Sequence, residues 1–342
     1  MKLTHAPFRC AAAGALSLLF CVPAANAMVA SIYEKEHIWS TPTITETHNT
    51  DYSGATANIS EIWNRTVWTG NGTATYLGQN ANGQHLILTA AHVGASSLSI
   101  TSADNNTYKL TSAGTSWRLT NTSDSSKADL QIIAVTANTS AGEKFLETLG
   151  NIEIASEITT QTDWFGQPSR QPSTLYAVGT GRSTKIGGNP MDESGTYPRE
   201  KQWAEFTAYQ KVSELVDSTT GNGTVIGTTA CYTEFFSNAE TSFQGTVQDS
   251  GSGVFVYQNG EWLLVGTLIG IGGNSETATT VGYKETENSV CATFFADLSQ
   301  YAPQINAIMA IPEPSAFGLL AGTCALVLAA SRRRRSRPLP LR

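Results

Sequence analysis

The sequence predicts an all-β fold, and three features point to it: short β-branched and aromatic runs broken by Gly, Asn and Ser; two Asn-Gly dipeptides between apolar runs; and a charged content of 14%, against the roughly 25% usual in soluble proteins. Thr73 to Leu77, Leu86 to Thr89, Leu98 to Thr101, Leu130 to Val135, Leu175 to Val178, Gly253 to Tyr257 and Trp262 to Leu268 read as strands. Many short strands separated by turn signals suit a β-sandwich or β-barrel. Asn82-Gly83 and Asn259-Gly260 mark two hairpins, because these residues supply the positive φ that tight β-turns require. Beyond the strands, Leu298, Tyr301, Ile305 and Ile308 recur near helical spacing. They predict a C-terminal helix whose first turn lies around Ser299 to Pro303, where proline is tolerated.

The two ends read differently from this body. Lys2 and Arg9, the apolar stretch Ala11 to Val22 and the small-residue site Ala25-Asn26-Ala27 form an export signal over residues 1–27. Residues 28–58 make a polar, irregular arm, and 59–310 the folded body. At the other end Ile311-Pro312-Glu313-Pro314-Ser315 precedes the apolar stretch Ala316 to Ala330 and then Arg332-Arg333-Arg334-Arg335. The apolar stretch falls short of the roughly 20 residues of an ordinary spanning helix, and the arginines would hold residues 336–342 on the cytoplasmic side. This order over 311–335 resembles the PEP-CTERM sorting signal of Gram-negative bacteria. The resemblance implies transient anchoring in the inner membrane, recognition by an exosortase-type enzyme, and delivery to the cell surface or extracellular matrix. A plain membrane anchor is the alternative.

The formal net charge of −7, with no basic cluster inside the body, excludes nucleic acid as an expected partner. No CxxC or HExxH occurs, so no metal or other cofactor is expected. Of five cysteines only Cys231 and Cys291 lie in the body. Export permits a disulfide between them, and two separate buried thiols are the alternative.

Acyl transfer by serine needs a hydroxyl nucleophile, an imidazole to take its proton and a carboxylate to orient that imidazole. The run His85-Leu86-Ile87-Leu88-Thr89-Ala90-Ala91-His92-Val93 is an apolar strand ending in small residues and a histidine. Asp129 stands in Ala128-Asp129-Leu130-Gln131-Ile132-Ile133, and Ser250 in Asp249-Ser250-Gly251-Ser252-Gly253. Asp104 and Asp124 are weaker rivals for the carboxylate, set in Asn- and Ser-rich sequence. His85 lacks the Thr-Ala-Ala context and reads as a strand surface residue.

These motifs, in the order His, Asp, Ser, resemble the trypsin/chymotrypsin-like serine proteases. Gly70 to Leu77 is similar to the strand before the histidine, Tyr176 to Arg182 to the opening of a second barrel, and Trp262 to Gly273 to the strand lining the specificity pocket. The likeness spans residues 66–309. It implies two six-stranded antiparallel β-barrels with a C-terminal helix, and a serine endopeptidase acting on protein or peptide substrates. His92, Asp129 and Ser250 would be catalytic, and backbone N–H groups of Gln248 and Ser250 would form the oxyanion hole. Gln244 would stand at the base of the substrate pocket, where a neutral side chain offers no partner to Arg or Lys, and Gly270 on an open pocket wall.

The chain departs from this family at two points. Gln248 stands where glycine is usual, and a side chain there restricts the peptide flip that aims an N–H into the hole. No Ile-Val-Gly-Gly start follows a basic cleavage site, so if Asp249 is buried another group must satisfy it. A catalytically silent surface or matrix adhesion protein is therefore the rival reading.

Overall fold

The computed structural model describes residues 29–32, 46–47, 53, 55, 57–160, 173–181, 199–208, 210–212, 215–219, 225–235, 241–245, 248–273 and 291–310. The expected export signal over 1–27 and the expected sorting segment over 311–335 lie outside these residues. No helix among them is long and apolar enough to cross a membrane.

The arm contributes two short strands, β1 (Val29–Ile32) and β2 (Glu46–Thr47), and leads to helix α1 (Ser60–Asn64). Six strands follow: β3 (Thr66–Trp68), β4 (Thr73–Gln79), β5 (His85–Thr89), β6 (Ser99–Thr101), β7 (Thr107–Thr120) and β8 (Lys127–Ala137). They close into a barrel in the order β3-β4-β5-β8-β7-β6. All five residues of β5 are buried, as a strand covered on both faces requires. Alternate residues serve two cores, following the two-residue period of a strand. Tyr76, Ile87, Ile133 and Val135 pack with Leu146 of helix α2 (Ser140–Leu149). Leu86, Leu88, Ile132 and Ala134 belong to a larger cluster that also holds Val178, Phe255 and Leu264 of the second unit.

That second unit begins with β9 (Glu153–Ile154), β10 (Thr174–Gly179), β11 (Gln202–Thr207) and β12 (Gln210–Lys211). It continues through the hairpin β13 (Val216–Thr219) and β14 (Val225–Thr228), then β15 (Ala230–Phe235), β16 (Thr241–Gln244), β17 (Gly253–Gln258), β18 (Glu261–Gly273) and β19 (Cys291–Asp297). The described strands run β11-β10-β17-β18-β19-β15-β12, with β9 beside β18, as an eight-stranded sheet that stands where the second barrel is expected. β16 pairs instead with β1, Val29 opposite Gln244.

Helix α3 (Ala302–Met309) ends the body with proline in its first turn, and Leu298, Tyr301, Ile305 and Ile308 are all buried, as their spacing predicts. They join the cluster shared by both units, so the helix clasps barrel and sheet together. Truncating a fully buried residue such as Ile132 to Ala would cost about 2–5 kcal/mol.

The two hairpins differ. Asn259 and Gly260 both take positive φ, 53° and 88°. In the other only Gly83 does, at 75°. There the Asn80 side chain accepts the backbone N–H groups of Asn82 and Gln84, which holds a wider turn and leaves Asn82 in ordinary backbone space.

Candidate active site

His92 lies in the turn that follows β5, and Asp129 on β8, the strand paired with β5. The Ala91 N–H donates to the Asp129 carbonyl, so the turn leaves β5 still attached to its neighbour. Asp129 is fully buried and binds His92 twice. His92 Nδ1 lies 2.6 Å from Oδ2, and the His92 backbone N–H donates to Oδ1 at 3.0 Å. A carboxylate accepts only, so Nδ1 carries the proton and Nε2 is left as the acceptor nitrogen. The double attachment fixes both the ring and its backbone. The Asp129 N–H in turn donates to the Thr228 hydroxyl at 2.8 Å, so a residue at the end of β14 steadies the aspartate from the second unit. Asp104 and Asp124 take no part; the Asp124 carboxylate is bound to Ser126 in its own turn.

Ser250 arrives from the other side, in the turn before β17. Its carbonyl accepts the Thr73 N–H at 2.9 Å, at the start of β4. A Cβ placed on Gly72 would lie 2.7 Å from the Ser250 carbonyl oxygen and 2.9 Å from the Val93 methyls, so the Ser250 backbone and the residue next to His92 meet over Gly72. The Ser250 hydroxyl has no hydrogen-bond partner among the described residues. The turn requires glycine at Gly251, whose φ is +91° and where any Cβ would strike the Thr73 carbonyl and the Thr89 hydroxyl. Gly251 N–H donates to the Leu268 carbonyl at 2.7 Å, and Leu268 N–H to the Ser252 carbonyl at 2.9 Å. These bonds attach the turn to β18.

Gln248 holds the left-handed conformation in spite of its side chain, with φ +83°. Its carbonyl accepts the Thr73 hydroxyl at 3.1 Å, while its buried Oε1 has no partner. Asp249 is fully buried, and the groups that face it are the Gly181 N–H, which donates to Oδ1 at 3.1 Å, the Ser252 hydroxyl at 3.5 Å, and the charge of Arg199. Burial pushes its carboxyl well above the usual range, against the pull of Gly181, Arg199 and Ser252. Oδ2 has no hydrogen-bond partner.

The two residues expected at a substrate pocket stand on strands β16 and β18. Gln244 ends β16; at the next residue the Gly245 N–H donates to the Thr293 hydroxyl at 2.9 Å, and a Gly245 Cβ would touch Leu268 and Ile271 of β18. Gly270 lies on β18 opposite Phe294, where a Cβ would meet nothing within 4 Å.

Two expectations need correcting. Cys231 sits opposite Phe295, and Cys291 opposite Phe235. The two cysteines are thus offset by four residues on adjacent strands, about 13 Å at the usual rise of a strand, and a disulfide reaches across no more than about 7 Å between Cα atoms. Cys231 is a buried free thiol, which burial holds well above the usual thiol range. His85 is buried rather than on the surface. Its Nε2 meets Glu143 Oε2 at 2.8 Å, which leaves Nδ1 to accept the Tyr76 hydroxyl at 2.7 Å. This network fastens helix α2 to β4 and β5, with no bond to His92 although His85 stands only seven residues before it.

Several residues essential to this geometry carry no motif. Thr73, Thr180, Arg199 and Thr228 hold the site through bonds to segments far along the chain.

No protein-family model matches the chain, and no curated protein matches it. Among solved structures, the chain is similar to the active form of Rv3671c protease from M. tuberculosis at 14% identity and a TM-score of 0.39, covering 82% of this chain and 96% of that one. It is similar to a Glu endopeptidase at 14% identity and a TM-score of 0.40, covering 74% of this chain and 94% of that one.

Proposed function

We propose that this chain is a serine endopeptidase in which Ser250 is the nucleophile, His92 the general base and Asp129 its orienting carboxylate. The observation that carries the reading is the doubly bonded His92–Asp129 pair, which leaves His92 Nε2 as the acceptor nitrogen, while the Ser250 backbone and Val93, the residue after His92, meet over Gly72. Ser250 Oγ would attack a peptide carbonyl as His92 Nε2 takes its proton, and the imidazolium would then protonate the leaving amine. Backbone N–H groups of Gln248 and Ser250 would hold the oxyanion. Gln244 and Gly270 would line a pocket without a carboxylate, so no strong preference for basic residues is expected. In the same proposal, an export signal over 1–27 and the PEP-CTERM-like segment over 311–335 would take this activity to the cell surface or matrix of a Gram-negative bacterium, after sorting by an exosortase-type enzyme.

A fluorophosphonate probe tests the chemistry. Wild type should label, and Ser250→Ala and His92→Ala should not; labelling that persists in Ser250→Ala sinks the assignment. A folded wild type that stays unlabelled favours the silent adhesion protein, the reading to which the side chain and unpartnered amide oxygen of Gln248 lend support.

A further inference from the structure

We infer that Arg199 is the positioning residue of the Gln248–Ser250 turn, acting through the β3–β4 connection. This rests on the endopeptidase reading for its catalytic consequence. Arg199 spends its guanidinium on one small region. Nη1 donates to the Thr69 carbonyl at 2.7 Å and the Gly70 carbonyl at 3.3 Å. Nη2 donates to the Gly72 carbonyl at 2.6 Å and the Thr180 hydroxyl at 3.0 Å, and Nε to the Thr180 carbonyl at 2.9 Å. The guanidinium also lies over the Trp68 ring, 4.0 Å from its centroid.

Three carbonyls of one tight connection converge on this cation. Carbonyl dipoles aimed at a common point repel one another, so without the guanidinium the connection relaxes by turning one or more of them away. A fork of five N–H groups suits such a cluster, and the point charge of a lysine does not reproduce it.

What the connection holds is the nucleophile turn. Thr73 donates its N–H to the Ser250 carbonyl and its hydroxyl to the Gln248 carbonyl. The Thr180 N–H donates to Thr73 Oγ1 at 3.1 Å, and the neighbouring Gly181 N–H donates to Asp249. Arg199 therefore reaches Gln248, Asp249 and Ser250 by two routes, through Thr73 and through Thr180, and touches none of the reacting atoms. It belongs to none of the three motifs by which the site is recognisable in the sequence.

The test compares the full chain with Arg199→Lys and Arg199→Ala. Two readouts are used: the fluorophosphonate labelling rate, and amide hydrogen exchange at Thr73 and Gly251 against Ile87 and Ile133 in the barrel. In Arg199→Ala the labelling rate should fall about a hundredfold, the effect of roughly an ångström of misplacement. Exchange at Thr73 and Gly251 should quicken by about tenfold or more while Ile87 and Ile133 stay as protected as in wild type. Arg199→Lys should lie between, and added guanidinium ion should restore part of the rate in Arg199→Ala only. Should Arg199→Ala fail to fold, Arg199→Lys carries the same comparison. Unchanged protection at Thr73 and Gly251 overturns the inference, and so does loss of protection that extends equally to Ile87 and Ile133. An unlabelled wild type removes the endopeptidase reading instead, and the exchange measurement then decides the role of Arg199 by itself.

Discussion

Replacing Gln248 by Gly should stabilise the protein and speed its reaction with a fluorophosphonate, although the residue lies two positions before Ser250, the proposed nucleophile. At φ +83° the Cβ of Gln248 is in the left-handed region, which costs an L-residue about 1–2 kcal/mol. Its buried Oε1 has no partner, and such an orphan costs about 1–3 kcal/mol. Against these gains glycine adds unfolded-chain freedom worth about 0.4–1 kcal/mol. The balance is a gain of about 3 kcal/mol, which for a body of this size raises the unfolding temperature by about 6–12 °C. Gln248→Ala separates the contributions, since it removes the orphan amide but keeps the strained Cβ; it should gain only about two-thirds as much. Calorimetric unfolding of the three proteins makes the comparison. A Gly variant that melts at or below wild type, or an Ala variant that gains as much as Gly, would show that φ +83° stores no strain here.

Other substitutions address separate parts of the structure. Asp129→Asn should leave the fold intact and slow fluorophosphonate labelling by about 10³–10⁴-fold, because an amide no longer enforces the Nδ1–H tautomer of His92; a loss under tenfold would argue against that role. Burial lowers the Lys201 ammonium to about 7, with its Nζ donating to the Thr101 carbonyl at 2.7 Å and lying 5.0 Å from the centroid of the Trp63 ring. Unfolded, that lysine titrates near about 10.4, so between about pH 7 and 10 the unfolded chain binds the extra proton and this group makes stability climb with pH. Lys201→Met should flatten that climb in unfolding temperatures at the two ends of the window; an equal rise in both proteins contradicts the assignment. Finally, a thiol reductant should leave the unfolding temperature unchanged, since Cys231 and Cys291 are offset along their strands; a fall of several degrees would mean that they pair.

The elements legible in the sequence are those whose burial is one-sided or complete. Leu86 to Thr89 and Leu130 to Val135 are apolar enough to be read as strands, and both lie within longer ones. Strand β7 escapes because, of its fourteen residues, only Leu110 and Leu119 are buried and the stretch Thr111 to Ser116 faces solvent. Its polarity resembles a loop, and it becomes a strand only through β8. Helix α2 escapes for a similar reason, with Leu146 its one buried large side chain, although Thr139 caps it by accepting the Gly142 N–H at 3.1 Å. Thr139 with Glu143 after it was the local signal available.

In the site, His92, Asp129 and Ser250 stand out because each sits in a multi-residue pattern. Thr228 does not, since a threonine hydroxyl that receives an N–H from a residue 99 positions away leaves no trace in its own neighbourhood. The cysteines mislead because elimination names the only two candidates in the body but says nothing of register.

The spacing of these contacts along the chain also sets an order of assembly. The His92–Asp129 couple spans 37 residues and closes inside the barrel. The bond from the Thr73 hydroxyl to Gln248 spans 175 and forms only when the second unit docks. Short loops close before long ones and units fold before they associate. If the proposed roles hold, a nascent barrel would thus carry the His92–Asp129 couple before Ser250 is seated, and competence would arrive last, in the step that also seats helix α3. Pulse-labelled exchange would read that lag directly, with Ile133 protected before Gly251.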